Sequence, residues 1–494
     1  MIKRIPYKWL VATAFVFGLF MELLDMTVLN TALPTLGREF NADAAMLQWP
    51  VTGYLVSLAI FIPASGWVAD RFGARRTFGF AVAIFTIASL IAGLSTSLEM
   101  LTAARFLQGV GGGMLTPVGT AMLFRAFPAA ERAKASAVLV VPAAVAPALG
   151  PVIGGWLVDA VSWRWIFFLN LPVGAIALAF VIFVLRDDDE QARPGAFDLA
   201  GFVLAGAALA GLLFGLDRGP TAGWTDPITL ISLIGGVLLA GLLVAVELPK
   251  RSPLLDLRLL NDRLFRLGNL ISLAAGAATM GVLFMTPLLL QQELGLTATQ
   301  SGLITACQAV GMVLAMPLAS KLYTVVGPRV MLVTGLLVTA LANLGFLAVQ
   351  QDTSLWWIRG IMLVSGAAMG LVMVPMQATT FATITGEATA RASAVFSTTR
   401  QIASAAGVAV LASLLSIRLS SRLGALGDNA DAAARHTAAI SAYHDAFLVT
   451  AALTLIGIAF AVFVRGVPTG TAATDPEPDP GDPLEVAVES GALR

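Results

Sequence analysis

Apolar runs of about twenty residues recur along almost the whole chain, and nothing else in it constrains the fold so strongly. At ~1.5 Å per residue each run reaches across the hydrocarbon core of a bilayer. There, backbone amides find no water, so only helices or closed barrels satisfy them. Of the 494 residues 57% are hydrophobic and only 12% charged, too little charge to cover a soluble protein of this size. The chain reads as an all-α integral membrane protein with fourteen spans. They fall at roughly 9–33, 48–70, 77–95, 99–125, 134–158, 163–185, 197–215, 228–247, 265–290, 299–323, 328–349, 354–384, 391–418 and 444–466. The first run follows Lys3, Arg4 and Lys8 as a signal peptide would, but it is long, carries acids and lacks a small-residue cleavage site. It is read as a retained span.

Lysine and arginine in the loops set the orientation. With the N-terminus inside, cytoplasmic segments up to Arg465 hold twenty Lys and Arg and the outer loops six. Both termini are therefore expected on the cytoplasmic side of the cell membrane. Arg105, Arg359 and Arg400 fall within spans. An internal repeat shows at an offset of 254 residues, pairing Pro63 with Pro317, Gly73 with Gly327, Arg75 with Arg329, Arg105 with Arg359 and Gly112 with Gly366. Two similar six-helix bundles follow, over 1–190 and 251–466, with two inserted spans in 191–250 and an acidic, proline-rich disordered tail in 467–494. A repeated architecture of this kind suits alternating access around a midplane site.

Two carboxylates stand inside the first span. A charge near the bilayer centre costs at least ~2.5–3.5 kcal/mol on insertion scales, so Glu22 and Asp25 predict a wet, protein-lined interior. Their three-residue spacing puts them on one helix face, where two close acids can have coupled ionisation. Arg105 of the fourth span lies at nearly the depth of Asp25, which makes it a candidate partner. A static salt bridge and a helix cap are the plainer alternatives for these groups.

Several chemistries are excluded. One cysteine, Cys307, rules out an internal disulfide, and His436 and His444 share one polar loop without metal-ligand spacing. No nucleophile–base constellation and no Gly-x-x-x-x-Gly-Lys loop occurs, so neither enzyme chemistry nor a cofactor nor a metal is expected, and an ion gradient is the energy source. The basic stretch from Leu254 to Arg266 reads as an amphipathic segment lying on the cytoplasmic membrane face; lipid headgroups account for its arginines without nucleic acid.

Five motifs carry a resemblance. The turn Gly66-Trp67-Val68-Ala69-Asp70-Arg71-Phe72-Gly73-Ala74-Arg75-Arg76 resembles the signature loop of the major facilitator superfamily, and Arg105-Phe106-Leu107-Gln108-Gly109 its proton-coupling pattern. Gly150-Pro151-Val152-Ile153-Gly154-Gly155 resembles the antiporter motif of its drug exporters. Leu24-Asp25-Met26-Thr27-Val28-Leu29-Asn30-Thr31-Ala32-Leu33-Pro34 and Trp163 to Gly174 are similar to the fourteen-span drug:H+ antiporters of the EmrB/QacA type.

The resemblance implies the major facilitator fold and proton-driven efflux, with Asp25, Glu22 and Arg105 in proton coupling. It implies a gating loop built on Gly66, Asp70, Arg71, Gly73, Arg75 and Arg76, in which the acid and its arginines hold the two halves together on the inner side. Glu22, Asp25, Asn30, Gln108, Gln292, Gln308, Met369, Met373 and Gln377 are the expected substrate contacts. Substrates would be small, largely apolar or cationic compounds; the other expected partners are protons and lipid, and the chain is expected to be a monomer. An exporter of a single metabolite and a non-transporting membrane sensor are the alternatives.

Overall fold

The computed structural model describes residues 6–42, 44–128, 131–186, 195–250, 253–385, 388–426 and 431–465; the expected tail over 467–494 lies outside them. Among the described residues there are helices and no strand. In chain order they are α1 (Tyr7–Glu39), α2 (Ala44–Phe72), α3 (Ala74–Gly93), α4 (Leu98–Ala126), α5 (Arg132–Ala160), α6 (Trp165–Phe168), α7 (Asn170–Phe183), α8 (Leu199–Ala222), α9 (Pro227–Glu247), α10 (Arg263–Leu288), α11 (Ala298–Val326), α12 (Pro328–Gly345), α13 (Leu355–Thr380), α14 (Thr389–Leu426) and α15 (Ala432–Ala461).

Twelve helical stretches are long and apolar enough to cross a membrane, with α6 and α7 counted as one. The two further expected spans coincide with α4 and α5, each 29 residues long. In α4 the run Gly111–Phe124 is buried throughout, so its surface meets protein rather than lipid and need not be strongly apolar. Glycine does the diluting there. A side chain at Gly109 or Gly113 would strike the backbone of α2 at 2.5–2.6 Å, and one at Gly111 the backbone of α3 at 2.6 Å. The alternate glycines thus let α2 and α3 pack directly on α4.

Helices α1 to α7 pack among themselves, α1 against α4, α5 and α7, and α3 against α4 and α7. On the far side of the sequence α10 packs on α13, α14 and α15, and α13 on α11 and α12. The two bundles meet where α5 lies along α11 and α13, and where α14 lies along α2 and α4. The repeat reappears in the backbone. Gly73 and Gly327 open α3 and α12 with φ of 86° and 83°, the left-handed region that glycine enters without a Cβ clash.

Helices α8 and α9 stand at the edge, α8 on α2 and α14. Only Thr229, Gly236, Leu243 and Glu247 of α9 are buried, and Ile231 and Leu238 are 72% and 67% exposed, as a lipid-facing helix requires. The expected end of span 7 at residue 215 falls short: α8 runs on to Ala222, and its Asp217 accepts the Thr52 hydroxyl of α2 at 2.9 Å.

The stretch after α9 is tied back to that helix. Leu254 and Leu255 are buried, their amides held by the Glu247 carboxylate, and only a short turn over Leu257–Asn261 precedes α10. Trp163 is 1% exposed and donates to Glu39, whereas Trp165 is exposed.

Candidate functional site

The deepest polar cluster forms where α1, α3, α4 and α7 converge. Asp25 is 4% exposed and Arg105 1%, and the Arg105 guanidinium donates to Asp25 Oδ2. The other carboxylate oxygen, Oδ1, accepts from Gln108 Nε2 at 2.9 Å and from Asn170 Nδ2 at 2.8 Å. Gln108 Oε1 in turn takes Arg105 Nη1 at 2.5 Å, and Ser89 Oγ accepts from both Gln108 and Asn170. Arg105 also donates from Nε to the Pro50 carbonyl at 3.3 Å and lies 4.2 Å over the Tyr54 ring. Three donors on one buried carboxylate form a satisfied network, which is the form in which a low-dielectric interior tolerates charge.

The chemistry available to it is specific. Protonation of Asp25 would remove the charge that the contacts to Arg105, Gln108 and Asn170 are made to, and so weaken them. Those contacts tie α1 to α4 and α7. A single proton on Asp25 would therefore loosen the fastening of α1 to both helices.

Glu22, one turn earlier on α1, is 6% exposed and accepts the Thr116 hydroxyl of α4 at 2.8 Å. The Tyr54 hydroxyl is buried without a hydrogen-bond partner and lies 3.0 Å from where a side chain at Gly112 would begin. Gly112 is one turn from Thr116 on α4, so Tyr54 reaches from the Arg105 guanidinium toward the region of Glu22.

The other expected contacts are dispersed. Gln108 is fully buried within the Asp25 network, a placement that orients Arg105 rather than lining a cavity. Gln292 lies at the end of α10 beside a separate pocket of about 440 Å³, shared with Glu293, Gly295, Gln351, Asp352 and His436. Met373 packs with Met312, Met331 and Val374 in an apolar cluster. Gln308 and Met369 are half-buried on α11 and α13 and Gln377 is buried on α13. The side chains of Asn30 and Pro151 lie outside the described residues.

At the end of the bundle that carries the α2–α3 turn, Asp70 Oδ1 lies 3.3 Å from Arg125 of α4 and Oδ2 3.7 Å from Arg391 of α14. Arg391 also reaches Asp256 at 3.3 Å. Gly66 allows this approach: a side chain there would stand 3.2 Å from Arg391 Cα and 3.3 Å from the Ala390 carbonyl. Phe124 stacks on Phe381 nearby, with centroids 4.9 Å apart. Arg75 donates to the Val181 and Ile182 carbonyls at the end of α7 at 2.9 and 2.8 Å, while Arg71 and Arg76 are exposed. Lys8 hydrogen-bonds Glu131 and holds that carboxyl below its usual range.

In α5, Gly150 touches α1 so closely that a Cβ would lie 2.0 Å from Thr27 Oγ1. Gly154 is buried, and Gly155 has nothing within 4 Å of such an atom. The residues that sequence reasoning gave no role are Ser89, Asn170, Tyr54, Thr116, Arg125, Arg391 and Arg400. Asn170 carried the clearest signal, a lone amide in an apolar span.

Comparison with known proteins adds a frame. The family model described as Major Facilitator Superfamily matches residues 15–408 and 268–489. The chain is 34% identical over 399 residues to the "Multidrug resistance protein B homolog" of Mycobacterium tuberculosis, covering 80% of this chain and 74% of that one. It is 33% identical to the "Putative multidrug resistance protein MdtD" of Cronobacter sakazakii, covering 85% and 86%. It is 30% identical to the "Uncharacterized MFS-type transporter YhcA" of Bacillus subtilis, covering 84% and 78%. Among solved structures, the human organic anion transporter MFSD10 (TETRAN) superposes with a TM-score of 0.64 at 18% identity, over 92% of this chain and 100% of that one.

Proposed function

Because the chain belongs to the major facilitator superfamily and is a multi-pass membrane transporter, we propose that it is a proton-coupled antiporter exporting small, largely apolar or cationic compounds by alternating access. The buried Asp25–Arg105 pair carries this reading. It is a single titratable switch whose contacts fasten three helices, placed beside a second acid, Glu22. The relatives' names as multidrug resistance proteins support efflux as the direction and drugs as the class.

In this cycle a proton reaching Asp25 from outside loosens α1 from α4 and α7, and return of Arg105 to the carboxylate expels it inside. Asp70 with Arg391, and Phe124 with Phe381, close the cytoplasmic side while the outer side is open. The N-terminal bundle spans 1–190 and the C-terminal bundle 251–466, with α8 and α9 inserted between them; α4 and α5 complete fourteen spans. Both termini are cytoplasmic and the unit is a monomer.

The test is purified protein in liposomes with an imposed pH gradient and a cationic dye. Accumulation that follows the gradient and collapses with a protonophore is expected; uptake indifferent to the gradient would refute the coupling.

A further inference from the structure

Resting on the alternating access of the exporter reading, we propose that Asp256 takes over Arg391 when Asp70 leaves it. The inner lock then opens by handing its guanidinium from one carboxylate to another. Arg391 stands between two acids. Its Nη1 donates to Asp256 Oδ2 at 3.3 Å, and its Nε faces Asp70 Oδ2 at 3.7 Å, beyond hydrogen-bond reach. Two polar atoms at this junction are buried without a hydrogen-bond partner, Arg391 Nε and Asp256 Oδ1. One is a donor and the other an acceptor, and each is unfavourable while it stays unsatisfied. A closed lock optimised for stability alone would leave neither.

The two acids belong to different moving parts. Asp70 lies near the end of α2 in the first bundle and meets Arg125 of α4 at 3.3 Å. Asp256 lies before α10, and the turn Leu257–Asn261 that follows it packs on α10. Asp262, just after that turn, accepts the Thr383 hydroxyl from the segment after α13 at 2.9 Å. Asp256 and Arg391 therefore travel together with the second bundle. The backbone ahead of Asp256 is pinned as well. The buried Glu247 carboxylate accepts the Leu254 and Leu255 amides at 2.6 and 3.3 Å and Lys250 Nζ at 2.8 Å. When the bundles part at this end, Asp70 withdraws with Arg125 and Asp256 stays. Its unpartnered Oδ1 can then accept a second guanidinium N–H, the two-point grip that an arginine fork favours. Without Asp256 the opened state would hold a half-buried arginine stripped of both carboxylates that now face it.

The experiment measures distances between spin labels on α2 and α14 of the full chain in liposomes, which report the ratio of inner-closed to inner-open states. Asp256→Asn and Asp256→Ser are each expected to raise that ratio about tenfold, the scale of one charge-assisted hydrogen bond. Asp70→Asn should move it the opposite way. The rise should vanish when Asp256→Asn is made in an Asp70→Asn or an Arg391→Gln background, because the handover needs all three groups. Asp256→Glu, which keeps the charge, should lie closer to wild type than either neutral variant. An unchanged or lowered ratio in Asp256→Asn and Asp256→Ser would overturn the proposal. So would a rise that persists in either background, since Asp256 would then only support the turn it precedes. Gradient-driven dye export by wild type, with no response of the ratio to Asp256, would overturn the handover and leave the exporter reading standing. The expected pattern of ratios in a protein that exports nothing would do the reverse.

Discussion

Arg391 and Asp70 lie 3.7 Å apart on helices from opposite bundles, α14 and α2, and Gly66 on α2 lets the two backbones come close enough for the pair to form. Asp70 has Arg125 on its other oxygen, so one carboxylate joins α2 to a helix of its own bundle and to one of the other. Asp70→Asn is expected to leave membrane insertion intact and to remove about 1–2 kcal/mol of bias toward the state closed at this end, roughly a five- to thirty-fold shift in the ratio of states. Arg391→Gln should give most of the same loss. Arg75→Gln should act through α7 and leave the ratio nearly unchanged. Distances between spin labels on α2 and α14 read the ratio; an unchanged distribution in Asp70→Asn would exclude the lock.

The glycines of α5 divide sharply. A methyl at Gly150 collides with Thr27 of α1, whereas one at Gly155 meets open space. Gly150→Ala should cost about 1–3 kcal/mol through overpacking and reduce transport, and Gly155→Ala should be silent. Because the collision involves both the Thr27 hydroxyl and its Cβ, Thr27→Gly should recover part of the Gly150→Ala loss and Thr27→Ser should not. Thermal unfolding in detergent and dye efflux together report this; equal behaviour of Gly150→Ala and Gly155→Ala would sink the packing account.

Tyr54 separates two contributions to the Arg105 site. Its ring stacks on the guanidinium while its hydroxyl is buried and unpaired. Tyr54→Phe keeps the ring and removes a polar group that costs about 1–3 kcal/mol when buried unsatisfied, so stability should hold or rise. Tyr54→Leu loses the cation–π contact, worth about 0.5–2 kcal/mol, and should fall below both. A melting temperature of Tyr54→Phe as low as that of Tyr54→Leu would show the hydroxyl to be satisfied.

How much of this the sequence could disclose depends on how local the cause is. The meeting of Asp25 and Arg105 follows from depth, since rise per residue places both at one level. Their helpers Ser89 and Asn170 come from α3 and α7, and a single small polar residue in an apolar span carries no period or spacing. Asp70 is legible from the turn that holds it, but Arg391 is not, because its role arises from the approach of α14 at Gly66. The same holds for Arg75, whose basic character suits any inner loop and which donates to two carbonyls of α7. Gln292 and Met373 are attractive by residue type, and only packing assigns them to a pocket beyond the end of α10 and to an apolar cluster.

The coupling assignment rests on Asp25 and can be separated from its structural role. Asp25→Asn removes the exchangeable proton and leaves Arg105 buried without a counter-charge, which costs about 3–5 kcal/mol. Loss of transport in that variant alone would therefore be ambiguous. Adding Arg105→Gln removes the orphaned charge, and the double variant should recover most of the stability because Gln108, Asn170 and Ser89 can still bond one another. It should move substrate only downhill and release no proton when substrate binds. Glu22→Gln, in contrast, should keep proton release and weaken cationic substrates more than neutral ones. Proton release is read with a pH dye in weak buffer, and export in liposomes with an imposed gradient. If the double variant is folded and still concentrates substrate against its gradient, the exchanged proton does not sit on Asp25, and Glu22, the other acid buried on α1, becomes the residue to test.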